Sequence, residues 1–274
     1  MDKTTEDLRA KAVALLQSKE VELIIGYGPG SEAVRTQPVF ITSPEEVKKL
    51  VWNPFCVNNL SKYLVDFKYL PGRIAVCVKS CDSRSINRLI QDKVIPREKA
   101  WVLGMPCKYQ LSYTKLAPRM DVAGKLLGVE EKEEELAIVT NKGKFVVKKE
   151  EVILDKCTYC DLPRPVSINQ LIGEPVSPDS RPDGFVEVKK MELMNIGEKQ
   201  VFWLSQFERC IRCYACRNVC PGCTCFQCIF DTIKPDWGGK EVNVSENELF
   251  HLTRAFHLAG RCVDCGECDR VCPM

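Results

Sequence analysis

Apolar residues recur at helical spacing near the start of the chain, where Leu8, Leu15 and Leu16 share one side of residues 4–18. That spacing predicts an amphipathic helix. The next apolar stretch, VELIIGYGPG at 21–30, is continuous and runs into glycines. It reads as a strand ending in a plain tight turn. SPEEVKKLV at 43–51 predicts a short helix with Ser43 as N-cap, Pro44 at the first position and Glu46 completing a capping box. RIAVCVKSCDSRSINRLIQ at 73–91 reads as strand, turn and helix, and EKAWVLGMPCK at 98–108 as a further strand and turn. Alternation of this kind predicts an α/β domain over residues 1–175. Proline, glycine and serine then crowd PVSINQLIGEPVSPDSRPDG at 165–184, so residues 176–204 read as a linker or connecting segment. In the last part, 205–274, SENELFHLTRAFHLAG predicts a helix with Ser245 as N-cap and Gly260 as its stop. Its expected apolar face holds Leu249, Leu252 and Phe256, and His251 and His257 read as packing or surface residues.

Composition removes several function classes. Basic and acidic residues nearly balance, at 39 and 37, so no basic stripe argues for nucleic acid. No apolar run is long enough to span a bilayer, and the first residues show no secretory pattern. A cytoplasmic, reducing location is therefore expected, without membrane insertion. The outlier is cysteine, at 17 of 274 residues. In a reducing compartment, and with an odd count, thiolates bound to metal are the better reading than disulfides.

Seven cysteines fall within Cys210–Cys228, and four of them form Cys210-x2-Cys213-x2-Cys216-x3-Cys220-Pro221. The spacing recurs as Cys262-x2-Cys265-x2-Cys268-x3-Cys272-Pro273. Two such runs are the signature of a bacterial-type dicluster ferredoxin, an α+β fold. Three closely spaced thiolates wrap one corner of a [4Fe–4S] cubane, and the fourth reaches the other cluster. One cluster is thus assigned Cys210, Cys213, Cys216 and Cys272, and the other Cys262, Cys265, Cys268 and Cys220. Zinc sites favour separated Cys-x2-Cys pairs, often with histidine, and fit this pattern poorly. Cys223, Cys225 and Cys228 are surplus, either buried thiols beside a cluster or part of an extra metal site.

The first 175 residues carry their own cysteines. Cys81 and Cys107 each follow the C-terminal end of a predicted strand, the edge where ligands of open α/β sheets collect. Together with Cys157-x2-Cys160 they make a four-thiol set suited to a third [4Fe–4S] cluster, with zinc or unrelated free thiols as the alternatives. Cys56 and Cys77 are left over, Cys77 inside a strand.

VKSCDSRSINRLI, VLGMPCK and KCTYCDLPRP, in that order, resemble the β-subunit family of deazaflavin (coenzyme F420)-reducing hydrogenases and formate dehydrogenases. PVFITSPEEVKKLVWNPFCVNNLSKYL is similar to that family's N-terminal segment, so the resemblance covers roughly residues 20–175. It implies an iron–sulfur cluster on the cysteines around Cys107 and Cys157/Cys160, and FAD in many members. Gly28, Gly30, Asp82 and Arg84 are the candidate flavin residues. FHLTRAFHLAGRCVDCGECDRVCP resembles the electron-wiring ends of subunits that dock onto heterodisulfide-reductase-type complexes.

The leading expectation is an electron-transfer subunit with no catalytic residue of its own. It would connect a formate dehydrogenase- or hydrogenase-like partner with a heterodisulfide-reductase-like flavoprotein. The alternative is an FAD-dependent oxidoreductase subunit acting on deazaflavin or ferredoxin. A zinc scaffold would require iron-free protein.

Overall fold

The computed structural model describes residues 3–32, 34–132, 134–160, 162–176 and 185–274. The opening helix α1 (Lys3–Gln17) buries Leu8, Ala12, Leu15 and Leu16, as its periodicity predicts. It covers a five-stranded sheet whose strands lie side by side in the order 36–41, 23–29, 74–78, 100–104 and 170–171. Strand β1 (Leu23–Pro29) is buried along almost all its length, which explains its continuous apolar run. β2 (Thr36–Ile41) returns antiparallel to it. Residues 44–49 follow β2 as a 3-10 turn rather than an α-helix, and the Ser43 side chain makes no cap bond. Three residues per turn align Val47 with Leu50, and both point into the core.

A second 3-10 turn leads into the short α2 (Tyr63–Asp66). β3 (Ile74–Val78) lies between β1 and β4 (Ala100–Gly104), parallel to both, and β8 (Gln170–Leu171) adds a parallel edge. Helix α3 (Ser80–Gln91) starts directly at the end of β3. Adjacent parallel strands thus deliver Cys81 and Cys107 to the same sheet edge, as the strand-end reading expects.

A second unit follows. Helix α4 (Tyr113–Ala123) is followed by an antiparallel sheet of β5 (Leu126–Glu131), β6 (Glu135–Thr140) and β7 (Gly143–Lys148). Leu111, Leu116, Leu126, Leu136, Ile138, Val147 and Val152 form its core. The short helices α5 (Lys149–Val152) and α6 (Asp155–Thr158) then carry the chain to Cys157 and Cys160.

Residues 177–184 of the expected connecting segment lie outside the described residues. The rest of it is helical: α7 (Val186–Leu193) and α8 (Ile196–Arg209), the latter opened by a capping box of Asn195 and Glu198. The cysteine-rich part adds α9 (Ala215–Asn218), α10 (Val244–Leu258) and α11 (Glu267–Arg270). The expected α+β character does not appear there, because residues 185–274 contain no strand. Arg212, Tyr214, Asp264 and Gly266 all take positive φ, which interrupts any extended run through the cysteine loops.

Helix α10 also departs from expectation. Its cap is Asn243, whose side chain accepts from the Glu246 N–H at 2.9 Å, with Ser245 already inside. Gly260, at φ 67°, ends it as predicted. Leu249, Leu252 and Phe256 are exposed, while Asn247 and Phe250 face inward. The inner face meets cysteine loops whose carbonyls need donors. Asn247 Nδ2 therefore donates to the Phe207 and Cys210 carbonyls, both at 2.8 Å, and Arg254 donates to the Cys216 carbonyl at 3.1 Å.

Several polar contacts fasten the cysteine-rich part to the α/β part, among them Arg261 to Asp92 at 2.6 Å and Lys62 to the Cys223 carbonyl at 2.6 Å, and the most buried centres on a carboxylate. Glu267, fully buried at the start of α11, pairs with Lys156 of α6 and with Arg270 at 2.7 Å. It also accepts the Asn59 N–H at 3.3 Å. Gly266, at φ +63°, precedes it, and a Cβ there would lie 2.4 Å from Lys156 Cβ. Only glycine permits that approach. Burial alone would raise the Glu267 carboxyl, but Lys156 and Arg270 hold it down at about 2. From an ordinary 4.5, that depression is on the order of 3 kcal/mol. The sign follows from linkage: the contribution is complete above 4.5 and fades as pH falls toward 2. Glu267→Gln should therefore lower unfolding stability by about 3 kcal/mol, with a gap from wild type that is constant between about pH 6 and 8. Urea unfolding across that range checks it; a gap that varies with pH there contradicts the assignment.

Candidate metal centres

The sequence repeat is a backbone repeat. In the first run Arg212 and Tyr214 take φ of 51° and 58°; at the matching positions of the second, Asp264 and Gly266 take 51° and 63°. Three of these four are not glycine, so the left-handed backbone is held at a cost, as it is at ligand-binding turns. It turns the same donor onto the same sulfur in each run. The Arg212 N–H points at Cys210 Sγ at 3.4 Å, and the Asp264 N–H at Cys262 Sγ at 3.5 Å. Loops that aim backbone N–H groups at cysteine sulfur are suited to an anionic thiolate-ligated group.

The packing brings assigned partners together. Burial pushes the Cys265 thiol up to about 12, with Cys220 among the groups close enough to add to the effect. Burial likewise raises Cys216, which Arg254 opposes and neighbouring Cys268 and Cys210 reinforce. Cys213, Cys262 and Cys272 are exposed at the protein surface. Arg254 lies among Cys216, Cys268 and Cys220, so one guanidinium serves sulfurs assigned to both clusters.

Cys81, Cys107, Cys157 and Cys160 line a single cavity of about 390 Å³, where β3, β4 and α6 meet. Cys265 of the second run lines the same cavity. Burial raises Cys107 to about 11, with Cys157 and Cys160 near enough to contribute, and Cys81 feels Cys107. Gln110 Nε2 donates to Cys107 Sγ at 3.4 Å. Two buried lysines flank the thiols. Lys79 is tied to Asp82 at 2.8 Å and to the Asn58 carbonyl at 2.8 Å, and Lys156 reaches Glu267. Burial pulls Lys79 down, but Asp82 and Cys81 outweigh it and leave the ammonium above its ordinary value. Four thiols lining one cavity form a donor set that fits an iron–sulfur cluster, beside two lysines whose charges Asp82 and Glu267 match. Among the described residues no three His, Cys, Asp or Glu side chains gather tightly enough for a single metal ion.

The surplus thiols Cys223, Cys225 and Cys228 line a separate cavity of about 520 Å³ with Lys62, Arg217 and Arg254. The Cys223 N–H donates to the Cys220 carbonyl at 3.1 Å, and the adjoining Cys223 thiol draws the Cys220 thiol well below its ordinary value. Cys56 and Cys77 are buried in the sheet core, each pushed up to about 12 by burial.

The candidate flavin residues are committed elsewhere. Gly28 sits inside the β1–β2 hairpin, opposite Gln37, where a Cβ would lie 2.4 Å from Val39. The Gly30 N–H donates to the Arg35 carbonyl at 2.7 Å. Asp82 is fully buried against Lys79 and Tyr27. Arg84 stands at the mouth of the four-thiol cavity and donates to the Asp264 carbonyl at 3.3 Å. Gly28, Gly30 and Asp82 thus make their close contacts within the fold.

Periodicity gave no sign of Lys79, Lys156, Gln110, Arg254 or His251. His251 packs as expected, stacked on Phe207 and against the edge of Phe250, and adds a polar contact that the sequence did not announce. Its Nε2 lies 3.3 Å from Cys210 Sγ, and burial, with Arg254 and Arg212 nearby, holds its pKa below the ordinary value.

Residues 206–274 match the family described as the 4Fe-4S dicluster domain. The C-terminal part is therefore a dicluster ferredoxin-type domain, and two [4Fe–4S] clusters go with it. Over an alignment covering 95% of this chain and 83% of the relative, the sequence is 24% identical to the F420-dependent formate dehydrogenase subunit beta of Methanocaldococcus jannaschii. It is 26% identical to F420-dependent formate dehydrogenase 1 subunit beta of Methanococcus maripaludis, covering 89% of this chain and 78% of that one.

The chain is a homologue of the F420-dependent formate dehydrogenase β subunits.

Among solved structures, the F420-reducing [NiFe] hydrogenase complex from Methanosarcina barkeri is similar at 17% identity and a TM-score of 0.47, over 56% of this chain and 57% of that one. Among the described residues of this β-subunit homologue, no helix is long and apolar enough to cross a membrane. Replacing Cys216 by Ser should remove or degrade one of the two dicluster-domain clusters and leave the other. Iron content together with low-temperature EPR of anaerobically prepared protein reads this; an unchanged pair of signals would remove Cys216 from the ligand set.

Proposed function

We propose that this chain is the iron–sulfur electron-transfer subunit of a multi-subunit formate dehydrogenase- or hydrogenase-like oxidoreductase. On the other side it serves a heterodisulfide-reductase-like flavoprotein, in a reducing cytoplasmic setting. Residues 1–175 form the base that holds a third [4Fe–4S] cluster, 176–204 connect, and 205–274 hold the ferredoxin pair. No residue of the chain acts as a catalytic acid, base or nucleophile. One observation carries the reading: Cys265 lines the cavity that Cys81, Cys107, Cys157 and Cys160 also line. Donor sets from the two parts of the chain thus share a wall.

When bound, iron–sulfur clusters supply one-electron storage. What the chain contributes is placement, charge and shielding. Arg254, among Cys216, Cys268 and Cys220, and the surplus cation of the Lys156–Glu267–Arg270 triad offset the negative charge that thiolates and electrons bring into a buried space. Cys213, Cys262 and Cys272 lie at the surface, where a partner subunit can approach. Cys223, Cys225 and Cys228 act as thiols beside the pair rather than as a further metal site, supported by the nearness of the Cys223 thiol to Cys220. The relay reading is preferred over a flavoenzyme because Gly28, Gly30 and Asp82 are taken up by the fold.

Anaerobically prepared protein should contain roughly twelve iron per chain and no stoichiometric flavin. Cys107→Ser should lower iron by about four and leave the ferredoxin pair spectroscopically intact. Roughly eight iron in the wild type would remove the third cluster, and stoichiometric flavin would replace the relay by an FAD-dependent oxidoreductase acting on deazaflavin or ferredoxin.

A further inference from the structure

We propose that His251 is a potential-setting residue: its Nε2–H donates to Cys210 Sγ and makes the cluster on that run easier to reduce than its partner. The inference rests on the assignment of Cys210 as a cluster ligand. A sulfur bound to iron carries no proton and can only accept. The ring nitrogen 3.3 Å from it must therefore carry the hydrogen. The ring cannot swing away easily. It stacks on Phe207 at 5.4 Å and 15°, and meets the edge of Phe250 at 5.1 Å. Phe207 and Cys210 are themselves held by Asn247, one turn earlier on the same face of α10.

At their first cysteines the two runs differ by one side-chain donor. Cys262 receives the Asp264 N–H, and Cys210 receives the equivalent Arg212 N–H plus His251. Each N–H donated to a cluster sulfur offsets charge, and it does so more in the reduced state, which carries one more electron. The second donor thus biases the electron toward the Cys210 cluster. Helix α10, which separates the two cysteine runs, is the element that breaks their symmetry.

The test is an EPR-monitored redox titration of the full chain, wild type against His251→Leu and His251→Gln. In His251→Leu, the oxidised-to-reduced ratio of one cluster at fixed potential should rise about tenfold, about 59 mV for one electron. The other clusters should stay put. His251→Gln places an amide N–H where Nε2 was and should restore most of the shift. Unchanged potentials in His251→Leu, equal shifts in both variants, or loss of the cluster from both would each overturn the proposal, the last two in favour of a packing role. Wild-type protein without two [4Fe–4S] signals would overturn the ligand assignment beneath it.

Discussion

The arrangement depends on a carboxylate that has no water. Glu267 lies between two cysteines of the second run, and its charge is matched by Lys156 from the α/β part and Arg270 from its own helix. A buried charge with these partners fixes where the two parts of the chain can sit. Because Glu267 is two residues from Cys265, the same contact that docks the cysteine-rich part also brings Cys265 to the wall of the four-thiol cavity. The Glu267 contact thus contributes both to attachment and to the placing of Cys265. Gly266 makes it geometrically feasible by keeping a side chain away from Lys156.

A second regularity is the sign of the buried groups near sulfur. Lys79 and Lys156 flank the four-thiol cavity, while Arg254 and the loop N–H groups attend the ferredoxin-type runs. Several of these cations would be costly if thiols were their only neighbours, since burial disfavours charge. Asp82 matches Lys79 and Glu267 matches one of Lys156 and Arg270, so the positive charge left to face anionic groups held by thiolates is that of Arg254 and the surplus of the Glu267 triad. The need for donors at the cysteine loops explains why the inner face of α10 is Asn247, Phe250, His251 and Arg254 rather than leucine.

Much of this was legible in the sequence, for local reasons. The paired cysteine runs carry their own spacing, and the alternation of strands and helices in the first part gave the parallel sheet. Placing Cys81 and Cys107 after strand ends sufficed to predict that they meet, because β3 and β4 are adjacent and parallel. Three features were not legible. The ion triad joins residues 111 positions apart, beyond any periodicity. The buried side of α10 was misread because apolar spacing presumes an apolar neighbour, and this helix packs on polar cysteine loops. The 3-10 turn at 44–49 was misread because the need to bury Val47 and Leu50 together overrode the capping pattern.

The central claim is that three cluster sites lie in one connected body, with Cys265 beside the cavity of Cys81, Cys107, Cys157 and Cys160. Anomalous diffraction at the iron edge, on crystals grown without oxygen, tests it most directly. The account predicts three iron-rich peaks, one inside the four-thiol cavity with Cys265 between it and a second, and the third on the Cys210 run. Two peaks confined to the cysteine-rich part, with the four-thiol cavity free of iron, would contradict it.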